Sequence, residues 1–409
     1  MSEPNLDQRS AKQWIGPFSA TIFAMMTLQM SSLGFSPLLP EIQRDFGINY
    51  SQVGLFSGIY GLAAIVFSIP GGMLAKRFGE KIVLYLGLLV VTLGLVLLSR
   101  SPNFAIGLSA RTIWIIGYRV AFVCVMTAIA HVVPSYRRST AMGILGAMSS
   151  FASVIGAPFG TSIGVAFGWR NGILAFAGMA LLGSIVFGIF YRTPETTAQH
   201  SILEHAYSFG ASAFSNPLVW SMVLLGLTNM GGFSATFFVP SAVKTTFHLG
   251  PTVAAYIIST SYVTAIFANL LCGYLADRLS RWGVMIGLML LLIPASFAMM
   301  APNIVTFRVA TALVISLGLC ATNQIFAIAS EVTPAREMGP VMGIVSLGGG
   351  IFGYVGPQTL GILRDHTGSF TAGWYFVAFG ALIALLVILV LKRAADKAQF
   401  SRMQVIRGA

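Results

Sequence analysis

Long apolar runs recur along almost the whole chain and are separated by short polar segments. Each run has about 20 residues, the length that a helix needs to cross a hydrocarbon layer of about 30 Å. The pattern predicts twelve helices, at residues 15–39, 51–75, 82–99, 103–132, 139–166, 171–191, 218–243, 252–276, 283–300, 303–329, 339–363 and 372–392. We therefore predict an all-α integral membrane fold with twelve transmembrane helices.

One polar segment, at residues 193–217, is long enough to divide the chain near its midpoint. It separates two sets of six predicted helices. The sequence thus predicts an N-terminal six-helix bundle at 1–192, a cytoplasmic linker at 193–217, and a C-terminal six-helix bundle with a cytoplasmic tail at 218–409.

The two halves repeat each other at an offset of about 200 residues. The sequence HVVPS beginning at His131 matches EVTPA beginning at Glu331, and AMGI beginning at Ala141 matches VMGI beginning at Val341. Because each half contains six helices, both halves enter the membrane from the same side. The two bundles are therefore expected to be related by a pseudo-two-fold axis along the membrane normal.

Composition agrees with a membrane protein, since 56% of the residues are hydrophobic and 9% are charged. Soluble domains carry about 25% charged residues. The net charge of +12 arises mostly from Lys and Arg in short loops, which indicates membrane topology and gives no reason to expect nucleic acid as a partner. The three cysteines lack the spacing of a disulfide framework or a metal site, so no metal or cofactor is expected.

Orientation follows from the uneven distribution of these positive charges. Most Lys and Arg residues lie in the two terminal tails and in the loops that share their side, whereas the opposite loops hold Arg44, Arg100, Arg170, Lys244 and Arg364. Positive loops remain cytoplasmic. Both termini are therefore predicted to be cytoplasmic, in what we expect to be a bacterial inner membrane, and the N-terminal tail lacks a cleavage pattern and is expected to be retained.

Residues 72–81 (GMLAKRFGEK), between the second and third predicted helices, resemble the loop signature Gly-x-x-x-Asp-Arg-x-Gly-Arg-Lys of the major facilitator superfamily of secondary transporters. Residues 273–281 (GYLADRLSR) lie where the second copy of that signature is expected. The resemblance implies that the first, fourth, seventh and tenth helices line the transport pathway. It also implies a gating role for Gly72, Arg77, Asp277 and Arg278.

The first copy departs from the signature, with Lys76 in place of Asp and Glu80 in place of a basic residue. These two side chains are four residues apart and can pair if the stretch is helical, although an exposed pair contributes only tenths of a kcal/mol. In the fourth helix, Arg111 resembles the start of the family's Arg-x-x-x-Gly-x-Gly motif, in which Trp114 and Ile115 replace small or polar residues.

Three arginines fall inside predicted helices, namely Arg111, Arg119 and Arg308. An ionisable group at the bilayer centre costs about 2.5–3.5 kcal/mol, so it needs a partner or a wet cavity. A rise of about 1.5 Å per residue from Asn103 places Arg111 and Arg119 on either side of the midplane, and about 80° of helical rotation separates them. None of the twelve Asp and Glu residues falls well inside a helix. Arginines without such a carboxylate favour an anionic substrate, although Arg308 is also shallow enough to reach the interface.

Other polar residues are predicted near mid-depth. Gln29 and Asn229 are related by the repeat offset, and both lie on helices that the resemblance assigns to the pathway. The weaker substrate-binding candidates are Tyr60, Thr228, Tyr262, Asn323, Gln324 and Gln358. Any one of them alone can equally be an interhelical hydrogen bond.

The sequence therefore predicts a monomeric secondary transporter, not an enzyme, that moves a small anion (an organic carboxylate or an inorganic oxyanion) by alternating access. Besides this anion, the expected partner of the protein is membrane lipid. The alternatives are efflux of hydrophobic or drug-like compounds by proton antiport, and a non-transporting sensor or assembly factor on the same fold. Uniport, exchange and proton symport all remain open.

Overall fold

A computed structural model describes residues 6–133, 137–191, 217–333 and 338–408. All regular structure in these residues is helical, apart from turns. The α-helices are α1 (Leu6–Gly34), α2 (Leu39–Phe46), α3 (Tyr50–Phe78), α4 (Glu80–Ser99), α5 (Phe104–Val132), α6 (Arg138–Phe167), α7 (Trp169–Phe190), α8 (Pro217–Leu225), α9 (Leu227–Thr246), α10 (Pro251–Arg278), α11 (Arg281–Ala298), α12 (Ile304–Val332), α13 (Met338–Thr367) and α14 (Thr371–Gly408).

The two halves begin their helices with related capping residues. The Asn103 side chain accepts a hydrogen bond of 3.1 Å from the Ile106 amide at the start of α5, and Asn303 accepts one of 2.8 Å from the Val305 amide at the start of α12. Such a side chain satisfies one of the backbone donors that a helix leaves without an internal partner. The caps therefore fix where the two arginine-bearing helices begin.

Every predicted helix is formed, and two of them are interrupted. The first ends at Gly34 and continues through a 3-10 turn at Ser36–Leu38 into the short helix α2. The seventh is broken between α8 and α9 at Gly226, where a Cβ atom would lie 2.6 Å from the Gly348 carbonyl oxygen. The break thus coincides with a position where two backbones approach too closely for any side chain.

Eleven stretches of the described residues are long and apolar enough to cross a membrane. The remaining predicted span, α13, has 30 residues, but its glycine-rich sequence and Gln358 make it less apolar. The prediction of an all-α integral membrane protein with a twelve-helix fold is confirmed.

The described residues group into two compact units. The first comprises residues within 1–49, 62–198 and 237–263, and the second comprises residues within 50–61, 199–236 and 264–409. Each unit therefore takes most of its helices from one half of the sequence and a short segment from the other half. The predicted linker at 193–217 lies almost entirely outside the described residues, so the predicted bundle boundaries stay a prediction.

Small residues set the helix spacing in the first unit. A Cβ atom on Gly94 of α4 would lie 2.6 Å from the Cα atom of Trp114 in α5, and one on Gly34 of α1 would lie 2.8 Å from the Cα atom of Gly156 in α6. Membrane helices associate through such close backbone contacts because lipid offers no hydrophobic driving force between them. These contacts hold α5, with its two arginines, against α4, and they hold α1 against α6.

Candidate functional site

Arg119 lies near the middle of the 29-residue helix α5, about 22 Å from its first residue. Its side chain is half-buried, and its guanidinium carbon lies 5.7 Å from the centre of the neighbouring Tyr118 ring. A guanidinium presents up to five N–H donors in a planar fork and remains charged at any physiological pH. The position therefore combines a permanent positive charge with partial access.

Tyr118 connects α5 to α1 beside this arginine. The buried phenol donates a hydrogen bond of 2.7 Å to the Oε1 atom of Gln29, whose side chain is half-buried. Because the tyrosine occupies the amide oxygen, the amide nitrogen of Gln29 remains a donor that can point to another acceptor. Gln29 and Tyr118 thus form a hydrogen-bonded pair with Arg119 next to the tyrosine, and we call these three residues of the first unit the α5 cluster.

Arg111 has a different environment two turns earlier in α5. Its side chain is 0% exposed, and its guanidinium carbon lies 4.2 Å from the centre of the Phe35 ring and 3.9 Å from that of Trp114. Such stacking is a cation–π contact, which strengthens as the cation loses water. Trp114, which departs from the family motif, therefore supplies one wall of an aromatic cage around Arg111.

A second polar cluster lies in the second unit, between α9 and α12. The Thr322 hydroxyl donates a hydrogen bond of 2.7 Å to the Oδ1 atom of Asn229, which is 8% exposed. Both residues line a cavity of about 30 Å³ together with Gly226, Ser346 and Gly349. This volume holds roughly one or two water molecules, so in this structure the cavity is too small for an organic substrate.

The other predicted binding residues are dispersed. The Tyr60 ring packs 5.3 Å from the Phe233 ring, both measured at their centres, and Tyr262 is buried. Asn323 is exposed and donates a hydrogen bond of 2.8 Å to Asn269.

Arg308 is exposed in the second turn of α12. Thr322 lies about 21 Å further along the same helix. The structure therefore does not bring Arg308 into contact with the Asn229 cluster.

The predicted gating residues occupy the ends of α3 and α10. Gly72 is buried, whereas Arg77, Asp277 and Arg278 are exposed. The guanidinium carbon of Arg278 lies 4.9 Å from the centre of the Tyr274 ring. These placements fit the ends of membrane helices and leave the gating roles as predictions.

Comparison with known proteins identifies the family. The model of the Major Facilitator Superfamily matches residues 18–245 and 222–405, which together span most of the chain. The chain belongs to the Major Facilitator Superfamily. It is therefore an integral membrane protein and a transporter.

Two relatives from Agrobacterium vitis carry the name "Putative tartrate transporter". One is 24% identical over 95% of this chain and 92% of its own length, and the other is 23% identical over 94% of each. Among solved structures, a bacterial homologue of the human lysosomal transporter Spinster, in an inward-facing and occupied conformation, has a TM-score of 0.77 at 15% identity and covers 96% of this chain and 98% of that one. At that identity the likeness shows the fold alone.

The departure from the superfamily signature at Glu80 has a structural explanation. Glu80 is the first residue of α4 and is 3% exposed, and its carboxylate accepts a hydrogen bond of 3.1 Å from the buried Tyr191 phenol. Burial, and then the nearby Glu80 charge, raise the pKa of Tyr191 well above its usual value, which keeps the phenol protonated as a donor. The Glu80 side chain therefore points into the first unit, toward Tyr191.

The second unit holds an unusually close helix pair. A Cβ atom on Gly54 would lie 2.6 Å from the Pro357 carbonyl oxygen, and one on Gly61 would lie 2.6 Å from the Tyr354 amide nitrogen. At the beginning of α3, the Asp365 carboxylate of α13 accepts hydrogen bonds of 3.0 Å and 2.7 Å from the first two amides of the helix. We call this contact the α3–α13 clasp.

Sequence reasoning missed Tyr118, Thr322, the burial of Glu80 against Tyr191, and the clasp. Tyr118 and Thr322 are adjacent in sequence to predicted residues, so a wider search around each candidate could have found them. The burial of Glu80 carries no sequence signal, because the acid stands next to a loop glycine and a lysine. The clasp brings together residues about 300 positions apart, and only folding places them in contact.

Proposed function

We propose that this transporter moves a small anion, an organic carboxylate or an inorganic oxyanion, by alternating access, and that the α5 cluster binds it. The observation that carries the proposal is the position of Arg119 at mid-helix beside the Gln29–Tyr118 hydrogen bond. A guanidinium offers the bidentate, charge-assisted donors that carboxylates and oxyanions prefer, and the amide nitrogen of Gln29 is a further donor on the neighbouring helix α1.

The acidic residues support an anion over a cation. In the described parts of the membrane helices, the acids lie at helix ends, as with Glu80 at the start of α4, Asp277 at the end of α10 and Asp365 at the end of α13. A transporter of organic cations needs a carboxylate near its binding site to balance the substrate charge. The mid-helix charge in the first unit is instead the cation Arg119.

The relatives support the same class of substrate. Tartrate, the compound in the names of the two Agrobacterium vitis relatives, is a dicarboxylate with two hydroxyl groups. The arginine and amide of the α5 cluster suit the carboxylate part of such a molecule. We propose a bacterial inner membrane with both termini cytoplasmic as the setting, on the distribution of Lys and Arg between the loops.

The test is a thermal-shift screen of detergent-purified protein against tartrate, other dicarboxylates, phosphate, sulfate and a lipophilic cation. A ligand at 100 times its Kd stabilises the folded state by about 2.7 kcal/mol. We expect one anion class to raise the Tm of the wild type and of Arg44→Gln, a control at an exposed arginine in α2, and to leave that of Arg119→Gln unchanged.

Two results would contradict the proposal. Stabilisation by the lipophilic cation alone, equal in wild type and Arg119→Gln, would favour efflux of hydrophobic compounds over anion transport as the function. A stabilising anion that shows no saturable flux in proteoliposomes would instead indicate a sensor on the same fold.

A further inference from the structure

A groove on the outside of the first unit lies where α4 begins and α7 ends. Its volume is about 440 Å³. On α4 it is lined by Lys81, Ile82, Tyr85 and Leu86, which at this spacing form one face of the first two turns. On α7 it is lined by Ile185, Gly188 and Ile189.

The walls of the groove suit a hydrocarbon chain. Ile82 is 55% exposed and Ile189 is 65% exposed, on helices that are both long and apolar enough to cross a membrane. Exposed isoleucine side chains at this depth face lipid, not water. The groove is therefore open to the acyl chains of the bilayer.

Glycine gives the groove its concave shape. A Cβ atom on Gly188 would lie 3.1 Å from the Cε2 atom of Tyr85, so the tyrosine ring covers the glycine directly. A larger residue at position 188 would displace the ring and occupy the space beside it. The concavity thus depends on the absence of a side chain at one position.

The end of the groove carries a single sign of charge. Lys81 lines it, whereas the adjacent Glu80 is 3% exposed and bonded to Tyr191 inside the unit. No acidic residue is among the described residues that line the groove. The lysine charge is therefore presented to the membrane interface without a neighbouring carboxylate on the groove surface.

We propose that this groove binds an anionic phospholipid, with the lipid phosphate on the Lys81 ammonium and an acyl chain along Ile82, Leu86 and Ile189. Basic pockets between membrane helices recognise acidic lipid headgroups because the ammonium pairs with the phosphate close to the headgroup layer. A zwitterionic lipid carries a cation of its own near the same lysine. Its binding is therefore weaker, because the two positive charges repel each other. The site is separate from the α5 cluster and does not depend on the transported substrate.

The experiment is native mass spectrometry of the full-length protein in detergent, titrated separately with phosphatidylglycerol and phosphatidylcholine. We expect the wild type to bind phosphatidylglycerol about fivefold more tightly, the factor that one lysine near an anionic surface contributes. Lys81→Gln should remove that preference and leave phosphatidylcholine binding unchanged. Lys392→Gln, a control at a lysine near the end of the membrane part of α14, should behave as the wild type.

A second variant tests the acyl chain. Gly188→Leu fills the groove and should weaken the binding of both lipids, while Lys81→Gln keeps the groove and shows that any loss of preference is due to charge. Equal binding of the two lipids by the wild type, or an equal loss in Lys392→Gln, overturns the proposal. Displacement of the lipid by soluble glycerol 3-phosphate also overturns it, because the site then binds a free phosphate. A dimer that forms as lipid is lost overturns it as well, because the groove is then occupied by a second copy of the chain.

Discussion

Three arginines that look alike in the sequence have three different environments. Arg111 is enclosed by aromatic rings, Arg119 is half-buried beside a tyrosine–glutamine pair, and Arg308 is exposed near the end of its helix. Depth along a helix can be counted from the sequence. The direction in which a side chain points, and what encloses it, depends on the neighbouring helices.

The aromatic cage predicts a structural role for Arg111. We expect Arg111→Lys to keep the charge but lose the flat contact with Phe35 and Trp114, because an ammonium cannot stack as a guanidinium does. The loss should be about 1–2 kcal/mol, which thermal denaturation in detergent will show as a lower Tm. Stabilisation by the anion should persist.

The control for this variant is Arg308→Lys, at an exposed arginine, which should leave the Tm unchanged. A variant Arg111→Lys with an unchanged Tm and no response to anions would show that Arg111 contacts the substrate instead.

For the individual helices, hydrophobic runs predict where a helix forms, whereas close backbone contacts determine where it is interrupted. The run at 218–243 contains no proline near position 226, yet the helix breaks there against Gly348. The polar stretch after Pro40 lies between two predicted helices and is expected to be a loop, but it forms most of α2, with Ile42 buried. A one-dimensional pattern records the apolar character of a segment but not the distance to the next backbone.

The α3–α13 clasp yields the prediction at this scale. Gly61→Ala adds a methyl group where a Cβ atom would lie 2.6 Å from the Tyr354 amide nitrogen, so the two helices must separate. Overpacking of this kind typically costs about 1–3 kcal/mol. We expect a lower Tm. We also expect slower initial uptake in proteoliposomes, because α3 and α13 come from the two predicted bundles, which move against each other in alternating access.

Gly146→Ala provides a matched control, since a Cβ atom at that position of α6 meets nothing within 4 Å. It should keep both the Tm and the uptake rate of the wild type. Normal stability and uptake in Gly61→Ala would show that the clasp tolerates separation and does not take part in transport.

At the scale of the whole molecule, the excess of Lys and Arg in one set of loops predicts the orientation. Fusions of green fluorescent protein and alkaline phosphatase after residue 408 should give fluorescence and no phosphatase activity, as expected for a cytoplasmic C-terminus. Fusions after Gly250, in the loop between α9 and α10, should give the opposite pattern. Phosphatase activity at the C-terminus would reverse the proposed orientation.

The class of the protein, its helices, its internal repeat and its family follow from the amino-acid sequence alone, because each of these is a property of consecutive residues or of a short motif. Apolar length predicts a membrane helix wherever it occurs. Polar mid-helix residues could also be picked out one by one, which is how Arg119, Gln29 and Asn229 were found.

Which of these residues lie in contact depends on the tertiary fold. In the folded protein, hydrogen bonds join Tyr118 to Gln29, Thr322 to Asn229 and Tyr191 to Glu80. The Arg111 side chain is fully buried. In a membrane the gain from helix association comes from close packing and interhelical hydrogen bonds, not from hydrophobicity. These depend on shape and on partners distant in sequence, so the pattern of apolar residues cannot encode them.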